Sequence, residues 1–178
     1  MTLRTAHTAD LAPGELAAIR GLLYDAFDGD FGDEDWDHTL GGVHALVHDA
    51  RGLAAHGAVV MRRVRYRTRW LRTGYVEGVA VRRDARRQGL GGAVMGALEE
   101  IVTRAYDLGA LSASEDGAAL YAARGWRAWE GRILALGPDG IVRLPGEEGG
   151  THVWTGGGTA ALDLGGELVF DWRDGDVL

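Results

Sequence analysis

A chain of 178 residues, 46% hydrophobic and with no cysteine, is long enough for one globular domain spanning residues 1–178, and it excludes disulfides and a thiol nucleophile. It has no lysine either, so all nineteen basic residues are arginine, which excludes a Walker A phosphate loop and a pyridoxal Schiff base. The net charge of −7 argues against a general nucleic-acid binder, and no stretch approaches the roughly 20 apolar residues of a membrane span or the pattern of a secretory signal, so the cytoplasm is the expected location.

Thr2 to Ala6 reads as an extended start, and Pro13 opens an amphipathic helix with Leu16, Ile19, Leu23 and Phe27 spaced three or four apart. An acidic turn and Gly41-Gly42 follow. Val43 to His48, Gly57 to Tyr66 and Trp70 to Val81 then read as three strands that pair in sequence. Gln88 to Tyr106 places Leu90, Val94, Leu98, Ile101, Val102 and Ala105 on one side of a helix able to cover a sheet. After a short strand, Ala110 to Ala113, Ser114 caps the next helix, with Glu115 and Asp116 in its first turn and Gly125 just past its end. Trp126 begins another strand. Gly149-Gly150 and Gly156 to Gly158 separate short apolar runs, and Glu167 to Phe170 is the last strand. The order predicts an α/β sandwich built on a mixed sheet.

The charges are unevenly placed. Asp25, Asp28, Asp30, Asp33, Glu34, Asp35 and Asp37 run without a base among them, and the stretch from Leu144 onward is also mostly acidic. Between these flanks, Arg62 to Arg87 holds ten arginines against Glu77 and Asp84, so the middle suits an anion and the flanks a cation. Arg86-x-x-Gly89-x-Gly91-Gly92 falls where a strand ends and a helix begins. There, unpaired N–H groups and residues without Cβ allow close approach of a pyrophosphate. With 29 glycines in the chain such a pattern arises by chance about 0.5 times, so its weight comes from the apolar strand before it, the amphipathic helix after it and the neighbouring Glu77. Gly78 inside that strand is a candidate bulge where an acyl-pantetheine arm could dock.

At these residues the sequence resembles the GNAT acetyltransferase superfamily, whose motif reads Gln or Arg-x-x-Gly-x-Gly or Ala after a bulged strand. Within it, the chain is similar to the aminoglycoside 2′-N-acetyltransferases. That similarity runs through Gly29-Asp30-Phe31, His38-Thr39-Leu40-Gly41-Gly42, Gly74-Tyr75-Val76-Glu77, Leu111-Ser112-Ala113-Ser114, Leu120-Tyr121, Gly125-Trp126 and Asp171-Trp172-Arg173-x-Gly175-Asp176. The resemblance implies an α/β GNAT fold, with a mixed, mostly antiparallel central sheet flanked by helices. It further implies acetyl-CoA as cosubstrate, a homodimer, and acetyl transfer to an aminoglycoside amine by direct attack in a ternary complex. Val79, Ala80 and Val81 would pair with the pantetheine arm, and Arg86, Arg87, Gln88, Gly89, Leu90, Gly91 and Gly92 would bind the pyrophosphate. The aminoglycoside would meet Asp30, Asp35, Glu77, Gly78, Ser112, Asp176 and the terminal carboxylate of Leu178, with Glu147 or Glu148 a weaker inference. Related sequences often end in tryptophan, so Leu178 would lose a stacking face and keep the carboxylate.

In this scheme Glu77 accepts the amine's proton, through water, and the alternative reading of Glu77 is charge recognition alone. The Val79 N–H polarises the acetyl carbonyl and Tyr121 donates to the CoA sulfur; apart from the resemblance, Tyr121 beside Leu120 reads as core. His44 and His48 have helical metal spacing but fall in a strand, so no metal is assigned. Trp126, Trp129 and Trp154 read as core or interface aromatics. Two alternatives stay open at this point: an acetyltransferase of another amine, such as a polyamine or protein amine, and a non-catalytic module binding cationic drugs or CoA.

Overall fold

The computed structural model describes residues 1–155 and 162–178, and these fall into two compact units, Met1–Val60 with Val76–Ile101 and Met61–Tyr75 with Val102–Leu178. The glycine triplet at Gly156 to Gly158 lies outside the described residues.

In the first unit β1 (Thr2–His7) is followed by α1 (Pro13–Ala26), α2 (Asp33–Thr39), β2 (Val43–Asp49) and the start of β3 (Gly52–Tyr66). The end of β4 (Arg69–Val81) and most of α3 (Leu90–Ala105) complete it. β1 pairs antiparallel with β2 and β2 with β3, while β4 neighbours β3. Pro13 suits the first turn of α1, where its missing N–H costs nothing, and the Glu15 carboxylate accepts from the Ala12 N–H at 3.0 Å. The apolar stripe of α1 buries Ile19, Leu22 and Leu23 against Leu11, Leu46 and Ala80; each fully buried leucine or isoleucine there contributes about 2 kcal/mol.

This unit differs from the sequence reading in one added helix and in where β3 begins. The acidic turn contains α2, whose first turn carries Asp33, Glu34 and Asp35 at the positive end of the helix dipole, with Asp35 accepting from the Gly32 N–H at 2.7 Å. Trp36 is its one large apolar side chain, so no periodicity announced it. β3 begins at Gly52, not Gly57, because Leu53 and Ala55 have little strand propensity of their own and are drawn in by pairing with His48 and Val47.

The second unit carries β5 (Leu108–Ser112), α4 (Glu115–Ala123), β6 (Arg127–Ala128), β7 (Ile133–Gly137), β8 (Gly140–Arg143), β9 (Thr151–Trp154) and β10 (Leu168–Asp171). With the adjoining parts of β3 and β4 they form the order β6-β9-β5-β4-β3-β10-β7-β8. The pairs β4·β5 and β10·β7 are parallel, whereas β10·β3, β5·β9, β6·β9 and β7·β8 are antiparallel. This is the mixed sheet predicted from the order of elements, and the mostly antiparallel one that the resemblance implies. The short apolar runs between glycines resolve into β7, β8 and β9, and the strand expected from Trp126 is reduced to β6. Ser114 caps α4, its hydroxyl accepting from the Gly117 N–H. Trp126 stacks on Trp154, and buried Trp129 donates its indole N–H to the Gly166 carbonyl at 2.9 Å, so these aromatics are structural. Among the described residues no helix is long and apolar enough to cross a membrane.

Candidate functional site

β4 ends at Val81, and a single 3-10 turn, Arg83–Ala85, leads into a loop that starts α3, whose first intrahelical bond runs from Ala93 N–H to the Gly89 carbonyl. Arg87 and Gly89 both adopt left-handed backbone, with φ of 60° and 80°. That turn aims the first N–H groups of α3 out of the helix, where they lack intrahelical acceptors. Arg86, Arg87, Gln88 and Gly89 are exposed, Gly91 and Gly92 half-buried, and Leu90 anchors the turn in the core.

The arginine run does not act as one block. Arg82 is held by Asp49 at 2.5 Å, by Asp84 at 2.6 Å and by the Leu53 carbonyl at 2.9 Å, which raises its pKa further above the usual arginine value. Arg83 pairs with Asp28, and Arg51 with Asp84. Arg86 touches only a carbonyl, that of Val81 at 3.3 Å, and neither it nor Arg87 forms an ion pair among the described residues. Their two charges are therefore available to an anion beside the helix N-terminus.

Gly78 sits inside β4 with φ of 55°, a left-handed kink in an otherwise extended strand. A Cβ there would lie 3.2 Å from Leu23 Cδ1 and 3.4 Å from Thr39 Cγ2, and its carbonyl accepts from His56 Nδ1 at 2.8 Å. Glu77, Val79 and Val81 around it are half-buried, and Ala80 packs into the core. In the same unit Asp30 lies exposed in the loop before α2 with no ion pair among the described residues, while the Asp35 carboxylate is partly used in capping α2.

In the second unit the Ser112 hydroxyl, at the end of β5, donates to the Glu147 carboxylate at 2.8 Å, and Thr151 Oγ1 holds the Glu147 carbonyl at 3.0 Å. Glu148 differs: both its oxygens take Arg143 at 2.9 Å, which keeps its carboxyl below the usual range and leaves it a poor receptor for a further cation. Asp176 is exposed and Leu178 half-buried at the chain end. Tyr121 on α4 is buried beside Trp126 and His152, and burial pushes its phenol up to about 12, so it keeps its proton at neutral pH.

Two buried arrangements near these residues were not legible in the sequence. Arg62, read there as part of an anion-binding run, is buried. It donates to Asp171 at 2.8 Å and to the Val177 carbonyl at 2.5 Å, and Arg173 reaches the same carbonyl at 3.0 Å. It therefore anchors the acidic C-terminal segment. His56 was not a candidate at all, although a histidine inside an apolar strand is a signal that it has a buried partner. Among the described residues no group of three or more His, Asp or Glu side chains is arranged to hold a metal.

The profile of the Acetyltransferase (GNAT) family matches residues 16–126. An aminoglycoside 2′-N-acetyltransferase of Mycolicibacterium fortuitum is 47% identical over 178 residues, covering 99% of this chain and 91% of that protein. Among solved structures, the chain is similar to the GNAT family N-acetyltransferase YhbS of Escherichia coli in complex with CoA, with a TM-score of 0.66 and 20% identity over 95% of this chain and 88% of that one. It is also similar to Escherichia coli ElaA, with a TM-score of 0.60 and 17% identity over 85% of this chain and 97% of that one. At such identities the two structures speak for the fold alone.

Proposed function

Because the chain belongs to the GNAT acetyltransferase family and has its fold, we propose that it transfers the acetyl group of acetyl-CoA to the 2′-amino group of aminoglycosides, conferring resistance to them. The observation that carries this reading is the 47% identity, sustained over 99% of the chain, to a protein named for that activity. The whole chain, residues 1–178, acts as one catalytic domain, working as a homodimer in the cytoplasm.

Acetyl-CoA supplies the activated thioester. Its pyrophosphate suits Arg86 and Arg87, which have no acidic partner among the described residues, together with the N–H groups from Gln88 to Gly92. Val79, Ala80 and Val81 pair with the pantetheine arm, and the Val79 N–H donates to the acetyl carbonyl as negative charge develops on its oxygen. Glu77 takes, through water, the proton that the amine loses as its nitrogen bonds the acetyl carbon. Tyr121 gives its proton to the sulfur as the carbon–sulfur bond breaks. Burial keeps that phenol protonated, and it disfavours a free thiolate in the same surroundings.

Asp30, Asp35, Glu77, Ser112 with Glu147, Asp176 and Leu178 receive the polycationic drug, and the Gly78 backbone lies beside it. Three of these groups are supported by their geometry: Asp30 is unpaired among the described residues, Ser112 is bonded to Glu147, and Arg62 and Arg173 fix the backbone just before Leu178. The test is CoA release from acetyl-CoA with gentamicin, tobramycin and kanamycin A. Turnover is expected with the first two and little with kanamycin A, which carries a 2′-hydroxyl; equal turnover of all three rejects the regiochemistry.

A further inference from the structure

Three hydrogen bonds run through the interior of the first unit and end at the kink in β4. Thr8 Oγ1 lies 2.8 Å from His44 Nε2, His44 Nδ1 lies 2.9 Å from His56 Nε2, and His56 Nδ1 lies 2.8 Å from the Gly78 carbonyl oxygen. Both imidazoles are fully buried, and they lie diagonally across β2 and β3, where His44 faces Ala58 and His56 faces Leu46.

The direction of this chain follows from its last link. A carbonyl only accepts, so His56 Nδ1 carries a hydrogen. Burial pushes the pKa of His56 down to about 3 and that of His44 to about 4, so both rings are neutral at physiological pH and each bears one hydrogen. His56 Nε2 is then bare and accepts from His44 Nδ1–H. His44 Nε2 is bare in turn and accepts from the Thr8 hydroxyl at 2.8 Å, so that hydrogen goes to the ring and not to the Gly42 carbonyl, which lies 3.3 Å from the same oxygen. Thr8 Oγ1 itself accepts from the Gly41 N–H at 2.9 Å, so the far end is tied to the turn before β2. No nitrogen of the pair is left without a partner, which is what burying two imidazoles requires.

The link to chemistry is the peptide plane. Gly78 C=O and Val79 N–H belong to one trans peptide and point in opposite directions. Holding the carbonyl on His56 therefore turns the Val79 N–H away from His56. With φ of 55°, Gly78 departs from ordinary strand geometry, and the His56 side chain holds its carbonyl. We propose that Thr8, His44 and His56 form a positioning chain that sets the Gly78–Val79 peptide so that the Val79 N–H meets the acetyl carbonyl during transfer. The inference rests on the proposed function for the role of Val79. His56 touches neither substrate and is a positioning residue.

The test compares the wild type, His56→Leu, His56→Gln and His44→Leu in steady-state kinetics. His56→Leu removes the donor to Gly78, and kcat falls by roughly tenfold or more, while KM for acetyl-CoA changes less than about twofold. His56→Gln, which can still donate to the carbonyl, recovers most of the rate, and His44→Leu falls between. A His56→Leu protein with wild-type kcat, or losses in His56→Gln equal to those in His56→Leu, overturns the proposal. Because a leucine there could prevent folding, a second measurement uses the wild type alone: long-range 15N–1H correlation of the histidine rings. Nδ1–H tautomers are expected for both His44 and His56, and an Nε2–H tautomer at His56 overturns the proposal without any variant. A wild type that acetylates no aminoglycoside refutes the proposed function instead, and the tautomer result still decides the hydrogen-bond chain.

Discussion

Gly78, near the end of β4, and Gly89, just before α3, both adopt left-handed backbone on either side of one loop, and they do opposite things. Gly78 is crowded by Leu23 and Thr39 and its carbonyl is held by a buried histidine. Gly89 has nothing within 4 Å of where a Cβ would stand, and the exposed Arg86 and Arg87 precede it. The first is a fixed point, able to set an atom's direction but not to adapt. The second offers charge and unpaired N–H groups to whatever anion arrives. Buried groups, Tyr121 among them, should therefore govern the rate of the chemical step, and exposed ones the affinity for coenzyme.

Tyr121→Phe tests the buried class most severely: loss of a general acid should lower kcat by roughly 10² or more, with aminoglycoside affinity nearly unchanged, as measured by steady-state kinetics and calorimetry. An unchanged rate removes Tyr121 from the mechanism. Gly78→Ala should follow at up to about 10²-fold in kcat, since an alanine at φ of 55° is strained and its methyl group presses on Leu23. Arg86→Gln with Arg87→Gln belongs to the exposed class, so KM for acetyl-CoA should rise about tenfold at low salt and kcat should hold. Raising ionic strength should shrink the difference between this variant and the wild type. Gly89→Ala, strained but unobstructed, should raise KM only about threefold. A larger loss from Gly89→Ala than from Gly78→Ala would break the comparison.

The smallest effect at neutral pH concerns stability. His44 and His56 have folded-state pKa values near 4 and 3, below the ordinary 6.5, so the unfolded chain takes up their protons first as pH falls. The stability they allow is complete above about pH 6.5 and declines as pH drops from there toward 4 and 3. The urea midpoint should therefore fall between pH 6.5 and 4.5, and fall less steeply in His44→Gln.

Much of this was legible in the sequence. α1 and α3 follow from apolar residues at helical spacing, β2 and β4 from β-branched runs, and the α4 cap from Ser114. The loop after β4 was visible because arginine and glycine are recognisable types at a fixed spacing. What escaped depends on partners distant in sequence. Arg62 and Arg86 look alike in a row of arginines, yet Arg62 meets Asp171 and Val177 in the interior whereas Arg86 is exposed. His44 and His48 have helical metal spacing but were read in a strand with no partner named; the partner of His44 is His56 on the next strand, found only once the register of β2 on β3 is known. α2 was hidden because its stability comes from caps and charge at its first turn and not from an apolar stripe.

The most direct test of the proposed function is tandem mass spectrometry of tobramycin after reaction with this protein and acetyl-CoA. A single acetyl group on the 2′-nitrogen is the expected result, and an acetyl group on any other nitrogen, or unmodified drug alone, would contradict it.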